Sequence, residues 1–255
     1  MPEILRYQPG SFCWTELATT DPDVAKAFYS ALFGWTVHDM PIGDAQTYTM
    51  MQIAGKEVAA LAVMNGDRRE RDNRPHWFCY VSVVSADLTA ALAIELGGKV
   101  TAPAFDVFDS GRMAVIEDPT GAMLGLWEPR GHIGARLGLE INTLCWTELL
   151  TSDRTLSGRF YTQLFGWTTK EGGGYTEYLL SGASQAGMAE MGDDLPVASP
   201  GWSVYFRVSD CDEITSRARE LGGQVIVPPC DIPGVGRFST IQDPTGAIFS
   251  VIQLE

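Results

Sequence analysis

Residues Cys13–Thr36, CWTELATTDPDVAKAFYSALFGWT, and residues Cys145–Thr168, CWTELLTSDRTLSGRFYTQLFGWT, decide how this chain is read: fourteen of 24 positions are identical without a gap. The echo continues downstream. ELGGKVTAP from Glu95 returns as ELGGQVIVP from Glu220, and EDPTGA from Glu117 returns as QDPTGA from Gln242. The spacing is 132 residues from Cys13 to Cys145 and 125 from Glu95 to Glu220. That is far longer than the roughly 20–50 residues of a solenoid unit, so it marks two copies of a domain. The stretch Pro129–Gly138, PRGHIGARLG, with its proline and glycines, reads as their join. The expected layout is a first domain over 1–130, a linker over 131–139 and a second domain over 140–255.

Each copy carries the same punctuation. Phe12–Leu17 reads as a strand, and Asp21-Pro22 then supplies an N-cap and a proline suited to the first helical turn. Ala25, Phe28, Leu32 and Trp35 form an apolar stripe at helical spacing, and Gly34 suits the stop. Strands are expected over Trp35–His38, Tyr48–Ile53 and Val58–Met64. The plan restarts with a strand at His76–Val83, a helix at Ala86–Leu96 ended by Gly97-Gly98, and strands at Lys99–Pro103, Met113–Glu117 and Ala122–Trp127. The Asp118-Pro-Thr-Gly turn between the last two places proline and glycine where a tight turn needs them. Each copy is thus βαβββ–βαβββ, and the chain holds four modules.

Composition narrows the function classes. Of the 255 residues, 45% are hydrophobic and 20% charged, as in ordinary globular proteins. No apolar run approaches the roughly 20 residues of a membrane span, and the start MPEILRYQPGSF lacks the pattern of a signal peptide, which makes the cytoplasm the expected compartment. A net charge of −14 disfavours a nucleic-acid partner, which needs a basic face. The short arginine run Arg68, Arg69, Arg71 and Arg74 is interrupted by Glu70 and Asp72 and reads as a solvated loop. The five cysteines form no CxxC pair, against a disulfide framework or structural zinc site, and Cys13 and Cys145 sit in apolar segments as small hydrophobes.

Paired βαβββ modules, with FYxxLFGW closing the first helix and DPxGA before the last strand, resemble the vicinal oxygen chelate superfamily. That superfamily holds glyoxalase I, bleomycin-resistance proteins and extradiol dioxygenases. CWTEL followed by DPxxAxxFYxxLFGW is similar to its tandem glyoxalase-like proteins of actinobacterial type. The resemblance implies an α+β fold in which four βαβββ modules pair into two tandem, open, cupped eight-stranded mixed sheets. It also implies where a family enzyme would hold a divalent metal: on inward positions of each module's first and last strands. Those positions fall on Trp14 and Trp146, on Phe78 and Ser203, on Gly125 and Ser250, and near Ala62 or Val63 and Glu190. Glu190 alone could ligate, and His38, His76 and His132 lie elsewhere. The chain is therefore expected to lack the family's usual metal, and no cofactor is expected.

Side chains alternate across a strand, so residues two apart share a face. With Trp14 and Trp146 inward, Glu16 and Glu148 follow; so do Phe78, Tyr80 and Ser82 in the first cup and Ser203, Tyr205 and Arg207 in the second. Trp127 should follow Gly125. Each cup then offers aromatic walls and a carboxylate, a composition suited to a planar or amphipathic small molecule. Glu16 and Glu148 could be general bases or acceptors for a ligand; equally, each could satisfy backbone amides or a neighbouring Arg or Tyr. Arg207, which replaces Ser82, could pair with Glu148 or bind an anionic ligand.

Four functions remain open. The protein could bind a small molecule, act as a metal-independent lyase, isomerase or hydrolase through an inward glutamate, act as a metalloenzyme of glyoxalase or dioxygenase type with displaced ligands, or serve as a scaffold with filled cups. Because each copy can complete its own cup, a monomer and a homodimer are both expected possibilities.

Overall fold

The computed structural model describes residues 3–42, 46–64, 74–192 and 199–255; the residues 68, 69 and 71 of the arginine run lie outside them. The first copy runs β1 (Phe12–Thr19), α1 (Pro22–Phe33), β2 (Thr36–Ile42), β3 (Gln46–Ile53) and β4 (Lys56–Val63). It continues with β5 (His76–Ser82), α2 (Ala86–Glu95), β6 (Lys99–Val107), β7 (Gly111–Glu117) and β8 (Met123–Pro129). The second copy repeats this as β9 (Leu144–Thr151), α3 (Arg154–Phe165), β10 (Thr168–Gly172), β11 (Tyr175–Leu180) and β12 (Ala183–Glu190). Its second half is β13 (Gly201–Arg207), α4 (Cys211–Glu220), β14 (Gln224–Ile232), β15 (Gly236–Gln242) and β16 (Ile248–Leu254).

Local chemistry sets the helix ends as the sequence suggests. The Asp21 carboxylate accepts the Val24 amide and Asp153 accepts that of Leu156, while Gly34 (φ 70°) and Gly166 (φ 69°) close the helices in the left-handed region. Each copy folds into an eight-stranded mixed sheet, ordered β2-β3-β4-β1-β5-β8-β7-β6 and β10-β11-β12-β9-β13-β16-β15-β14. At the centre of each, the two modules meet through an antiparallel pair, β1 with β5 and β9 with β13. Among the described residues no helix is long and apolar enough to cross a membrane.

The convex faces of the two sheets share one core. Leu17, Phe28, Trp77 and Leu124 of the first copy belong to the same buried cluster as Leu149, Phe160, Phe206 and Phe249 of the second. Helices exchange partners across this core, α1 lying beside α4 and α2 beside α3. The FYxxLFGW and DPTG motifs explain themselves here. Tyr29 donates to Oδ2 of Asp243 (2.9 Å) and receives the indole N–H of Trp77 (3.0 Å). In the mirror position Trp202 donates to Tyr161 (3.0 Å), and Ser157 donates to Oδ2 of Asp118 (3.1 Å). Trp35 donates to the carbonyl of Asn142, and Trp167 to that of Gly10, both at 2.8 Å. Burial raises the pKa of Tyr29 and Tyr161 well above the usual phenol range, so both hydroxyls keep their protons. Each buried aromatic contributes on the order of 1.5–3 kcal/mol of burial free energy, so the two copies stabilise one another.

Candidate functional site

With the convex faces joined, the concave faces point outward as two separate cups. Along β5, Trp77, Cys79 and Val81 enter the shared core while Tyr80 packs in a second, smaller cluster with Trp14, Met50, Ala60 and Trp127. That cluster is the first cup. Along β13 burial alternates in the same way: Trp202, Val204 and Phe206 are buried in the core, and Ser203, Tyr205 and Arg207 are half-buried on the other face. One detail escapes simple alternation. A register shift between Phe12 and Trp14 turns Phe12 toward Trp202 (4.9 Å between rings) and leaves Cys13 with Trp14 on the cup side.

Register brings the remaining candidates together. Glu16 lies opposite Phe78, Trp14 opposite Tyr80, Tyr80 beside Gly125 and Ser82 beside Trp127. In the second cup Glu148 lies opposite Ser203, Trp146 opposite Tyr205, Tyr205 beside Ser250 and Arg207 beside Ile252.

Both cups contain a relay that includes one tyrosine not singled out in the sequence. Trp14 donates its indole N–H to Tyr48 (3.0 Å), whose hydroxyl donates to Oε2 of Glu16 (2.9 Å). Trp146 donates to Tyr175 (3.0 Å), which donates to Oε2 of Glu148 (2.9 Å); Tyr205 donates to Oε1 (3.1 Å). In the second cup the Tyr175 hydroxyl lies over Gly187, where a Cβ would collide with it; the first cup forms the same relay with Ala60 at that position. The clue was the dipeptide Tyr48-Thr49, which recurs as Tyr175-Thr176. Burial raises the pKa of Glu148, and the hydrogen bonds from Tyr175 and Tyr205 oppose that rise. The expected Arg207–Glu148 pair does not form: the guanidinium donates from Nη1 to the carbonyl of Leu139 (2.8 Å), and the tyrosines take the carboxylate.

The cups differ in what covers them. Residues 131–136 fold back over the first as a strap, held by Ala135 N–H to the Cys13 carbonyl (2.8 Å), Trp127 Nε1–H to the His132 carbonyl (2.8 Å) and the Tyr7 hydroxyl to the Ala135 carbonyl (2.8 Å). Gly134, at φ 111°, passes so close to the Cys13 carbonyl that a Cβ would collide with it. The His132 ring stands edge-on to Trp14, 4.7 Å between centroids, and 5.9 Å from Trp127. Its Nε2 is buried without a hydrogen-bond partner among the described residues, and burial, with Arg136 adding to it, lowers the imidazole pKa to about 4. Under the strap Trp14, Glu16, Tyr80 and Trp127 are only 3–7% exposed. What remains of the first cup's mouth is an open groove of about 460 Å³ beside Met40, Phe108 and His132, whose lining does not reach Glu16. In the second cup Trp146, Glu148, Ser203, Tyr205 and Phe238 all stay half-buried.

The positions where the family resemblance would put metal ligands fail the chemistry. They hold tryptophan, phenylalanine or serine, and glycine or serine, and a Cβ at Gly125 would fall on the ring of Tyr80. Glu190 is exposed at the end of β12. Among the described residues no three His, Cys, Asp or Glu side chains converge. This donor set does not fit a catalytic divalent ion.

Two copies of one cupped α+β unit, built around inward first-strand residues, define the class of protein. The chain belongs to the Glyoxalase/Bleomycin resistance protein/Dioxygenase superfamily, whose profile matches residues 11–126 and again 143–251. It is 42% identical over 261 residues to CFP32 of Mycobacterium tuberculosis, a protein provisionally named a glyoxylase, covering 99% of this chain and 98% of that one. It is 34% identical over 263 residues to the anthracycline biosynthesis protein DauV of Streptomyces sp. (strain C5), covering 98% and 95%. The fold is shared with the Mn(II)-bound glyoxalase of Novosphingobium aromaticivorans, at TM-score 0.66 and 16% identity over 97% of this chain and 83% of that one. It is shared also with the 2,3-dioxygenase LapB of Pseudomonas sp. KL28, at TM-score 0.65 and 13% identity over 99% and 93%.

Proposed function

We propose that this protein binds a small planar aromatic or amphipathic molecule in its second cup, without a resident metal. The observation that carries this reading is the contrast in cover. The aromatic residues and carboxylate of the first cup are enclosed by the chain's own strap, while Trp146, Glu148, Ser203 and Tyr205 stand half-open in the same geometry. Aromatic walls with a few convergent polar groups suit flat ligands. The relative DauV is named an anthracycline biosynthesis protein, which is consistent with a small-molecule role for this chain. Glu16, under the strap, serves as an internal acceptor for Tyr48.

A panel of flat aromatics, screened by thermal shift, tests the reading, because a ligand that binds only the native state must raise the melting temperature. Stabilisation should vanish when Ser203 is replaced by the phenylalanine that the first cup carries, Ser203→Phe. A silent broad panel would overturn the aromatic-binding reading and favour the scaffold role.

One observation favours a second reading. Glu148 is a desolvated carboxylate with a raised pKa, aimed into an open cup, which suits proton transfer near neutrality. If the protein is such an enzyme, Glu148→Gln abolishes turnover of a bound compound while changing its affinity much less.

A further inference from the structure

We propose that the ligand of the second cup is a planar aromatic acid, and that Arg207 is the residue that selects its acidic group. This deepens the reading above and rests on it.

The first cup supplies an internal template for the shape. There a flat ring, His132, stands edge-on to Trp14, and its backbone carbonyl receives the Trp127 indole N–H. Trp146 holds the place of Trp14, with the same hydrogen bond to a tyrosine. Around it the second cup has been cut back. Ser203 stands opposite Glu148 where Phe78 stands opposite Glu16, and Ile252 lies beside Arg207 where Trp127 lies beside Ser82. A phenyl gives way to a hydroxymethyl and an indole to a butyl group, while Arg207 replaces Ser82 and Phe238 replaces Met113, so the cup exchanges packed rings near Glu148 for a charged and aromatic rim. Phe238 meanwhile stands 6.3 Å from the ring of Tyr205 and adds an aromatic wall. A flat ring lying against Trp146 would meet Tyr205 and Phe238 as further walls.

Charge supplies the chemistry. Arg207 is on the cup side of β13, two residues from Tyr205 and so about 7 Å along the same face. Its Nη1 holds the Leu139 carbonyl, and it pairs with no carboxylate among the described residues. Arg112 and Arg237, by contrast, each bind two aspartates. In a chain of net charge −14, acids to neutralise an arginine are plentiful, yet the one side-chain hydrogen bond of Arg207 among the described residues goes to a backbone carbonyl, which leaves other guanidinium N–H groups open to an incoming ligand. Its planar fork matches a carboxylate in a two-point contact. Glu148 is level with Ser203, four residues or about 13 Å from Arg207 along the strand. An acidic group at Arg207 is therefore kept away from it, and a hydroxyl at the far end of the ligand would donate to it.

The test compares anthraquinone-2-carboxylate with anthraquinone-2-carboxamide, two probes of one shape that differ in charge, by calorimetric titration of the whole chain. The wild-type protein should prefer the acid by roughly tenfold to a hundredfold, the range of a charge-assisted hydrogen bond. Arg207→Gln should erase that preference while leaving the amide's affinity in place, and Ser203→Phe should remove both. Equal affinities in the wild type, or a preference that survives Arg207→Gln, would overturn the role of Arg207 and leave the second cup standing as an aromatic site. Absence of binding by either probe, or binding untouched by Ser203→Phe, would overturn the aromatic site together with it. The wild-type comparison does not depend on any variant folding.

Discussion

In the first cup Trp14 is 5% exposed beneath the edge-on ring of His132; in the second, Trp146 occupies the equivalent place half-open beside Tyr205. The indole, the tyrosine and the carboxylate that follow are the same in both, with the same distances. Two copies that began alike thus differ less in the polar relay at their centres than in the cover above it and the residues ringing it. The relay is a structural device of this sheet, able to hold a carboxylate in an aromatic setting whether or not anything comes to meet it. The cover is set by residues 131–136 of the linker, and the surroundings of the relay by the exchanges at Phe78/Ser203, Ser82/Arg207 and Trp127/Ile252.

The contrast can be broken most directly by truncating the two tryptophans. Trp14→Ala removes a fully packed indole and should cost about 3–5 kcal/mol, the usual penalty for such a core deletion. Trp146→Ala removes one that is half in water and should cost less than half as much. Urea unfolding of both variants measures the gap, and equal losses would mean that the second cup is as filled as the first.

Acidification sharpens it further, because the two cups carry groups that respond with opposite sign. His132 has its folded pKa lowered to about 4 from an ordinary 6.5, so the native state binds fewer protons than the unfolded chain between those values. Its contribution to stability is complete above pH 6.5 and falls as pH drops toward 4, by at most about 1.4 kcal/mol per pH unit. Glu148 has its folded pKa raised, so the native state there binds more protons, and its contribution falls as pH rises from the ordinary carboxylate pKa through the raised one. Stability measured against pH should therefore lose part of its acid-side decline in His132→Gln, and in Glu148→Gln should lose the opposing fall that begins as pH rises above the ordinary carboxylate pKa. A His132→Gln profile parallel to wild type would show the imidazole to be solvated.

The smallest effect concerns the hydrogen bonds themselves. Tyr175→Phe removes one donor from Glu148 and should cost on the order of 1 kcal/mol, while the carboxylate pKa, followed by NMR titration, moves further up. A pKa that falls instead would mean that the phenol was not donating.

Much of this was legible in the sequence, for a physical reason: alternation along a strand and caps at helix ends are local. Asp21, Gly34 and the Asp118 turn act on residues a few positions away, and the inward set from Trp14 to Tyr205 follows from counting by two. What was missed depends on where distant segments meet. His132 reads as a linker residue, since nothing in PRGHIGARLG says that the chain turns back over Trp14. Tyr48 and Tyr175 come from a strand two places away in the sheet, visible only as a recurring dipeptide. The Arg207–Glu148 pair looked natural from shared facing alone, but four residues along a strand is too far, and two phenols stand closer.

Tyr29 grips the turn of the other copy at Asp243, and Ser157 returns the grip at Asp118. Each half of the chain is thereby hostage to the other. A duplicated domain whose cup has closed would ordinarily be free to decay or be deleted; here it cannot be lost without exposing the core of its sibling. Selection can therefore act on the two faces of one domain separately, relaxing at the mouth of the first cup while remaining strict on its convex side. The reciprocal clasp makes the convex side of each copy part of the foundation of the other.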